Sequence, residues 1–155
     1  MAEIRLLPEW TVATLAGSGG RDSVERALFR VVRWLSAAGL PMVGKPFVSF
    51  PVRAQDSPDS AGFFVAVPVP AGATAAESTG IAVRSWGGFR VAAAVHTGPR
   101  DGLEAARERL RDWAEANGWE VAGGAMEFFL DLPGQAHADS ARIEVALPVR
   151  KVESR

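Results

Sequence analysis

The second half of the chain repeats the first half at a constant offset of 79 residues. Recurring positions include two acidic residues, a tryptophan and a glycine: Asp101, Glu104, Trp113 and Gly118 fall on Asp22, Glu25, Trp34 and Gly39. Strand-like segments follow the same rule, because residues 89–92 fall on 10–13 and residues 123–129 fall on 44–50. One extra residue then aligns 145–149 (VALPV) with 65–69 (VAVPV). Recurrence in this order indicates a repeated structural unit. The sequence predicts a doubled β-α-β-β unit, with repeat one at about 4–70 and repeat two at about 80–149.

Each repeat contains one segment with helical periodicity, residues 22–38 and residues 101–117. Apolar residues three or four positions apart form one face of each: Val24, Ala27, Leu28, Val31 and Leu35 in the first, and Leu103, Ala106, Leu110 and Ala114 in the second. An acidic residue followed three positions later by glutamate predicts a variant capping box at both helix starts. Both segments end at a glycine, Gly39 or Gly118, which suits a left-handed cap.

The composition limits the classes of function. The 155 residues, 48% of them hydrophobic, fit a single domain over residues 1–150, with a tail at 151–155. Seventeen basic and 18 acidic residues nearly balance, so we expect no nucleic-acid partner. Without cysteine there is no disulfide or thiolate site, and two histidines do not form a typical metal cluster, so no metal and no cofactor are predicted. No stretch approaches the ~20 apolar residues of a membrane span, and we expect a cytoplasmic protein without a membrane partner.

Two β-α-β-β units most simply place both helices on one face of an antiparallel sheet, an α+β arrangement that leaves the other face open. Side chains alternate between faces along residues 124–130. The alternation predicts one helix-facing set: Met126, Phe128 and Leu130. It sends Glu127 and Phe129 to the open face, where the offset places Val48 and Phe50 of the other repeat.

Glu127 is therefore predicted to be a single carboxylate among apolar residues. An ionised carboxylate is costly to keep in such surroundings, so it either takes up a proton or meets a cation. The functional interpretation is that Glu127 meets a cationic ligand. The alternative is a solvated glutamate at the rim of the sheet.

Aromatic residues on the strands or at their ends are candidates to wall a ligand cavity, because ring faces stack flat molecules and attract cations. These candidates are Trp10, Trp86, Phe89, Phe50 and Phe129. Trp119, just after the second helical segment, is a candidate cover for the mouth of a pocket. The alternative for all of them is ordinary core packing, which is our interpretation of Trp34 and Trp113.

Four short runs, in order and correctly spaced, resemble the GyrI-like effector-binding domains. They are residues 95–99 (VHTGP), 112–114 (DWA), 127–130 (EFFL) and 145–149 (VALPV), and the resemblance extends from Ile4 to Val149. It implies two β-α-β-β modules related by a pseudo-twofold axis, with a hydrophobic ligand cavity between them. It also implies that Glu127 reaches cationic, aromatic ligands in that cavity.

The chain departs from the family where tyrosines are common, because Phe129 and Arg100 stand at those positions. Some stand-alone relatives are hydrolases that use a glutamate with a tyrosine, so a hydrolase here would depend on water activated by Glu127 alone. Residues 84–89 (RSWGGF) also resemble a stretch of the SOUL haem-binding proteins, which have a similar fold. Haem would need an axial ligand, whereas we expect His96 to cap or pack and His137 to be solvated.

The sequence thus predicts a stand-alone protein that binds a small hydrophobic molecule, with cationic aromatic compounds as the candidate class, for sequestration, resistance or sensing. One rival is a cofactor-free hydrolase with Glu127 as its catalytic residue. Another is a domain whose concave face binds a protein or peptide. The predicted ligand-binding residues are Glu127, Phe129, Phe50, Val48, Trp10, Trp86, Phe89 and Trp119.

Overall fold

A computed structural model describes residues 1–51, 62–135 and 140–153. His137 lies outside the described residues. The chain forms two compact units. We name them the split unit, which joins Met1–Pro8 to Gly88–Arg155, and the contiguous unit, which is Glu9–Gly87.

Both units are α+β, with one helix and an antiparallel sheet. The split unit contains strand β1 (Glu3–Leu7) and the contiguous unit contains β2 (Trp10–Ser18), α1 (Arg21–Ala38), β3 (Phe47–Ser49), β4 (Gly62–Pro68), a short 3-10 turn (Glu77–Thr79) and β5 (Ala82–Trp86). The split unit continues with β6 (Phe89–Thr97), a 3-10 turn (Arg100–Gly102), α2 (Leu103–Ala116), β7 (Trp119–Val121), β8 (Met126–Phe129) and β9 (Arg142–Lys151).

The strand order is the same in the two units. The contiguous unit has the order β3-β4-β2-β5, and the split unit has β8-β9-β6-β1 with β7 also paired to β9. The registers agree as well: Val12 opposes Pro68 as Val91 opposes Pro148. The predicted β-α-β-β unit therefore occurs twice, with equivalent strand pairings.

The strand that leads into each repeat pairs with the other repeat. β1 pairs with β6 rather than with β2, and β5 pairs with β2 rather than with β6. Only Pro8 and Glu9 separate β1 from β2, and neither has the positive φ that a tight hairpin turn of this length requires. The chain therefore crosses from one unit to the other at this point and again at Gly87–Gly88.

The helices confirm the predicted apolar faces but not the predicted starts. In α1 the buried residues are Val24, Leu28, Val31 and Leu35, and in α2 they are Leu103, Leu110 and Ala114. The N-terminal caps are Gly20 and Gly102, without a side-chain hydrogen bond, so the predicted capping boxes are wrong. The first helix begins one residue before Asp22, and Asp101 lies in the 3-10 turn that precedes α2.

The C-terminal end of α1 agrees with the prediction. Gly39 adopts the left-handed conformation at φ 70°, and its N–H points to the carbonyl oxygens of Leu35 and Ser36. No helix among the described residues is both long and apolar enough to cross a membrane.

Candidate functional site

Glu127 lies on β8, in the split unit, and none of its surface is exposed. The residues around it on the strand are buried too: Met126, Phe128 and Phe129. Among the residues that the structure describes, Glu127 is the only acidic or basic residue that is buried. Glutamate is rarely fully buried in proteins, because an ionised carboxylate loses its hydration there.

Strand register decides which face of the sheet Glu127 occupies, since directly opposed residues of antiparallel strands share a face. Glu127 opposes Val145, and Phe129 opposes Ile143 on β9. Ile143 in turn opposes His96 on β6. Glu127, Phe129 and His96 therefore share one face of the sheet.

That face is the one covered by the helix. A Cβ atom added to Gly102, the residue before α2, would lie 2.8 Å from Cε1 of His96. The His96 ring thus lies on the side where the chain enters α2, and its Nε2 atom lies 2.9 Å from the carbonyl oxygen of Pro99 in the same connection. The predicted orientation of Glu127 and Phe129 toward the open face is wrong, because both belong to the helix side.

The contiguous unit has the same arrangement. The guanidinium carbon of Arg21, the first residue of α1, lies 5.8 Å from the centre of the Phe50 ring. Val48, two residues earlier on the same chain segment, opposes Val65, which opposes Leu15. Leu15 approaches the Cβ position of Gly80, as does the Arg30 side chain of α1. Val48 and Phe50 thus lie on the helix side of their own unit.

The remaining predicted residues lie elsewhere. Trp10 opposes Trp86 in the contiguous unit, and both are half-buried on the sheet face away from α1. In the split unit, Phe89 lies on the sheet face away from Glu127. Trp119 opposes Lys151, six residues along β9 from the partner of Glu127, a separation of about 20 Å. Within each unit, the predicted residues are divided between two faces of the sheet.

A different carboxylate lies on the face of the split unit's sheet away from Glu127. Glu144 of β9 is ion-paired with Arg5 of β1, and its side chain is 17% exposed. Burial raises the pKa of Glu144 above the ordinary glutamate value, the Arg5 charge opposes this shift, and Glu3 adds to it. The sequence interpretation missed this pair because β1 was expected to belong to the other repeat.

The corresponding face of the contiguous unit carries an aromatic cluster, which we define as Phe47, Phe64 and Trp86. The Phe64 and Trp86 rings meet edge to face, with centroids 5.0 Å apart. Phe47 lies 6.4 Å from Phe64 and 6.3 Å from Trp86. The guanidinium carbon of Arg84 lies 4.5 Å from the centre of the Phe64 ring and 5.5 Å from that of Trp86. Only Trp86 of this group was predicted.

No group of three or more histidine and acidic side chains within the described ranges is arranged to hold a metal ion. Asp131 instead forms an ion pair with Arg142 at the start of β9.

The sequence profile of the GyrI-like small molecule binding domain matches residues 2–150. The sequence matches no curated protein.

Solved structures share the fold. The C-terminal domain of EcmrR superimposes with a TM-score of 0.85 at 18% identity, over 98% of both chains. The chain spans 58% of the longer EcmrR chain solved in complex with DNA, at 19% identity and the same TM-score, with 98% of this chain covered. A hydrolase from Listeria innocua gives a TM-score of 0.71 at 14% identity, covering 96% of this chain and 91% of that one.

SAV2435, solved with bound tetraphenylphosphonium, gives a TM-score of 0.55 at 10% identity, covering 97% of this chain and 94% of that one. These identities are low, so the structural matches establish the fold and not a shared ligand.

Proposed function

Because the chain belongs to the GyrI-like small molecule binding domain family, we propose that it binds a hydrophobic, cationic aromatic molecule and that Glu127 supplies the opposite charge. The observation that carries the proposal is the complete burial of the Glu127 carboxylate on a strand of otherwise apolar residues. Small-molecule binding is the property of the family. The charge of the ligand and the role of Glu127 are our proposals.

The other repeat supports a role for Glu127 beyond folding. Val48 occupies the equivalent position on β3, where it opposes Val65 as Glu127 opposes Val145. Val48 is also fully buried. The same strand is therefore built with valine in one unit, so the β-α-β-β fold does not require a carboxylate there. A buried carboxyl group that the fold does not require is a candidate for ligand recognition.

The chemistry of a lipophilic cation fits such a residue. Tetraphenylphosphonium, the compound bound to SAV2435, carries its positive charge inside four phenyl groups. Transfer of phenyl groups from water contributes about 25 cal/mol per Å² of apolar surface before the costs of association. The buried carboxylate adds an attraction of about 3 kcal/mol at 5 Å and an effective dielectric constant of 20. Apolar burial would supply affinity, and Glu127 would select for positive charge.

Complete burial also sets a condition for binding. A ligand reaches the Glu127 carboxylate only by displacing side chains that now cover it. Phe129, which lies on the same face of the sheet as Glu127, is nearly fully buried itself, at 6% exposure. We expect ligand contact with Glu127 to be accompanied by a local rearrangement.

The test compares tetraphenylphosphonium with uncharged triphenylphosphine oxide by isothermal titration calorimetry. The wild type should prefer the cation, and Glu127→Gln should weaken cation binding about 10- to 100-fold while leaving the neutral compound unchanged. The matched control is Glu120→Gln, because Glu120 is a more exposed acid of the same unit, ion-paired with Arg150. Equal loss of both ligands in Glu127→Gln, or no loss, would contradict the proposed role.

A hydrolase from Listeria innocua has a similar fold, so we also test whether this protein hydrolyses a ligand. A 2-naphthyl ester that carries a quaternary ammonium group is incubated with the protein and then analysed by mass spectrometry, because tetraphenylphosphonium and triphenylphosphine oxide contain no ester or amide bond for water to cleave. Intact ligand supports sequestration or sensing. Hydrolysed ligand that stays intact with Glu127→Gln would instead identify an enzyme with a glutamate-activated water.

A further inference from the structure

We infer that the contiguous unit has a second ligand site, in which Arg84 binds the carboxylate of an aromatic acid whose ring packs on Phe64 and Trp86. This inference goes beyond the proposed function, because it concerns another unit, another face of the sheet and a ligand of opposite charge.

Arg84 is a cation that lies against two aromatic rings. It lies on β5, at the end of the strand order of its unit, and it is exposed. Its guanidinium carbon lies 4.5 Å from the centre of the Phe64 ring and 5.5 Å from that of Trp86. Within residues 1–51, 62–135 and 140–153 it forms no hydrogen bond and no ion pair. Contact with ring faces leaves its N–H donors available to a ligand.

An aromatic surface lies beneath Arg84. Phe64 and Trp86 are each half-buried and pack edge to face. Phe47 is fully buried and contacts both rings, so it holds them in place from below. A planar apolar molecule that packs on Phe64 or Trp86 removes exposed aromatic surface from water at little cost in side-chain order.

The split unit also has an arginine at the equivalent position. Arg5 opposes Val91 on β6, as Arg84 opposes Val12 on β2. The offset of 79 carries Val12 to Val91 and Arg5 to Arg84. The two arginines therefore occupy the same place in the two repeats.

Arg5 already binds a carboxylate at that place. Its Nη2 donates a hydrogen bond to Oε1 of Glu144. In the split unit, Glu144 of β9 opposes Val95 of β6. In the contiguous unit, the equivalent pair is Phe64 of β4 and Ala16 of β2. One repeat thus supplies arginine with its own carboxylate, whereas the other replaces that carboxylate with a ring. At these two positions the contiguous unit keeps the arginine and has a phenylalanine in place of the glutamate.

These observations specify the class of ligand. A guanidinium group pairs with a planar carboxylate through two parallel N–H donors. The adjacent rings favour an apolar, flat body, and the Arg84 charge disfavours a cation. An aromatic carboxylate meets all three conditions.

The test uses 2-naphthoate and its uncharged match 2-naphthamide. Binding is followed by NMR titration, with the Arg84 Nε–H and Trp86 indole N–H signals as local reporters. The wild type should bind 2-naphthoate about tenfold more tightly than the amide, as expected for a charge-assisted hydrogen bond at an exposed site. Both reporter signals should shift with the same dissociation constant.

Two variants test the site: one removes the guanidinium group, and the other adds a competing carboxylate. Arg84→Gln should abolish the preference for the acid and leave amide binding unchanged. Phe64→Glu introduces the carboxylate that the split unit has at Glu144, and it should block 2-naphthoate by pairing with Arg84. Arg90→Gln, at an exposed arginine of the split unit, is the control and should change nothing.

The inference fails if the acid and the amide bind equally to the wild type, if neither binds, or if Arg84→Gln retains the preference. Glu127→Gln should leave 2-naphthoate binding unchanged. Loss of cation binding with retention of naphthoate binding in that variant separates the two proposals.

Discussion

Replacement of Phe47 tests the packing that supports the aromatic cluster. Phe47 is fully buried on β3, and its ring lies 6.4 Å from Phe64 and 6.3 Å from Trp86. Phe47→Ala removes a buried ring whose neighbours can refill the space only in part, at a cost of about 3–5 kcal/mol in the free energy of unfolding. For a chain of this length the melting temperature should fall by about 6–20 °C.

The equivalent residue of the other repeat supplies the matched variant. Met126 opposes Ala146 as Phe47 opposes Ala66, and it is fully buried as well. Phe47→Met therefore introduces into the contiguous unit the side chain that the split unit already has at the equivalent position. Its cost should stay below about 1.5 kcal/mol, because the apolar volume is largely kept.

Urea unfolding followed by tryptophan fluorescence measures both variants, with calorimetry for the melting temperature. Phe29→Ala, on the outer side of α1 at 38% exposure, is the control and should cost less than about 1 kcal/mol. The reasoning is refuted if Phe47→Met is as destabilising as Phe47→Ala, or if Phe47→Ala costs no more than the control.

Two further predictions concern substitutions at single residues of the split unit, Glu144 and Gly102. Burial raises the folded-state pKa of Glu144 above 4.5, so the folded protein holds that proton more tightly than the unfolded chain. Its contribution to stability should be largest below pH 4.5 and decline as pH rises through the raised pKa, and urea titrations should show that step in wild type but not in Glu144→Gln. Gly102→Ala should cost on the order of 1 kcal/mol, because the new Cβ would lie 2.8 Å from the hydrogen-bonded His96 ring. Gly62→Ala, whose Cβ would meet only one atom at 3.8 Å, should be neutral, and an equal thermal shift in both glycine variants would contradict this account.

The repeat was predictable because it depends on order and spacing. When 79 is added to the residue numbers, the bounds of β2 become those of β6, and the bounds of β1 become those of β5. The pairing partner of β1 was not predictable in this way, since equivalent strands carry the same pattern whichever repeat they join. Local sequence alone does not distinguish pairing within a repeat from pairing across the two.

The orientation of Glu127 was not predictable for a related reason. Alternation identifies faces only when one face is polar, whereas all four residues of β8 are buried. The assignment of Met126, Phe128 and Leu130 to the helix side then decided the prediction, and it was wrong. The capping boxes failed because one helix begins earlier and the other is preceded by a 3-10 turn, a shift of one or two residues that sequence patterns do not resolve.

The most direct test of the central claim is a crystal structure of the protein with the lipophilic cation that binds it most tightly. Our account predicts the positive centre within about 6 Å of the Glu127 carboxylate, with apolar side chains displaced to admit the ligand. A cation bound elsewhere, with Glu127 still fully buried and its neighbours unmoved, would contradict the account.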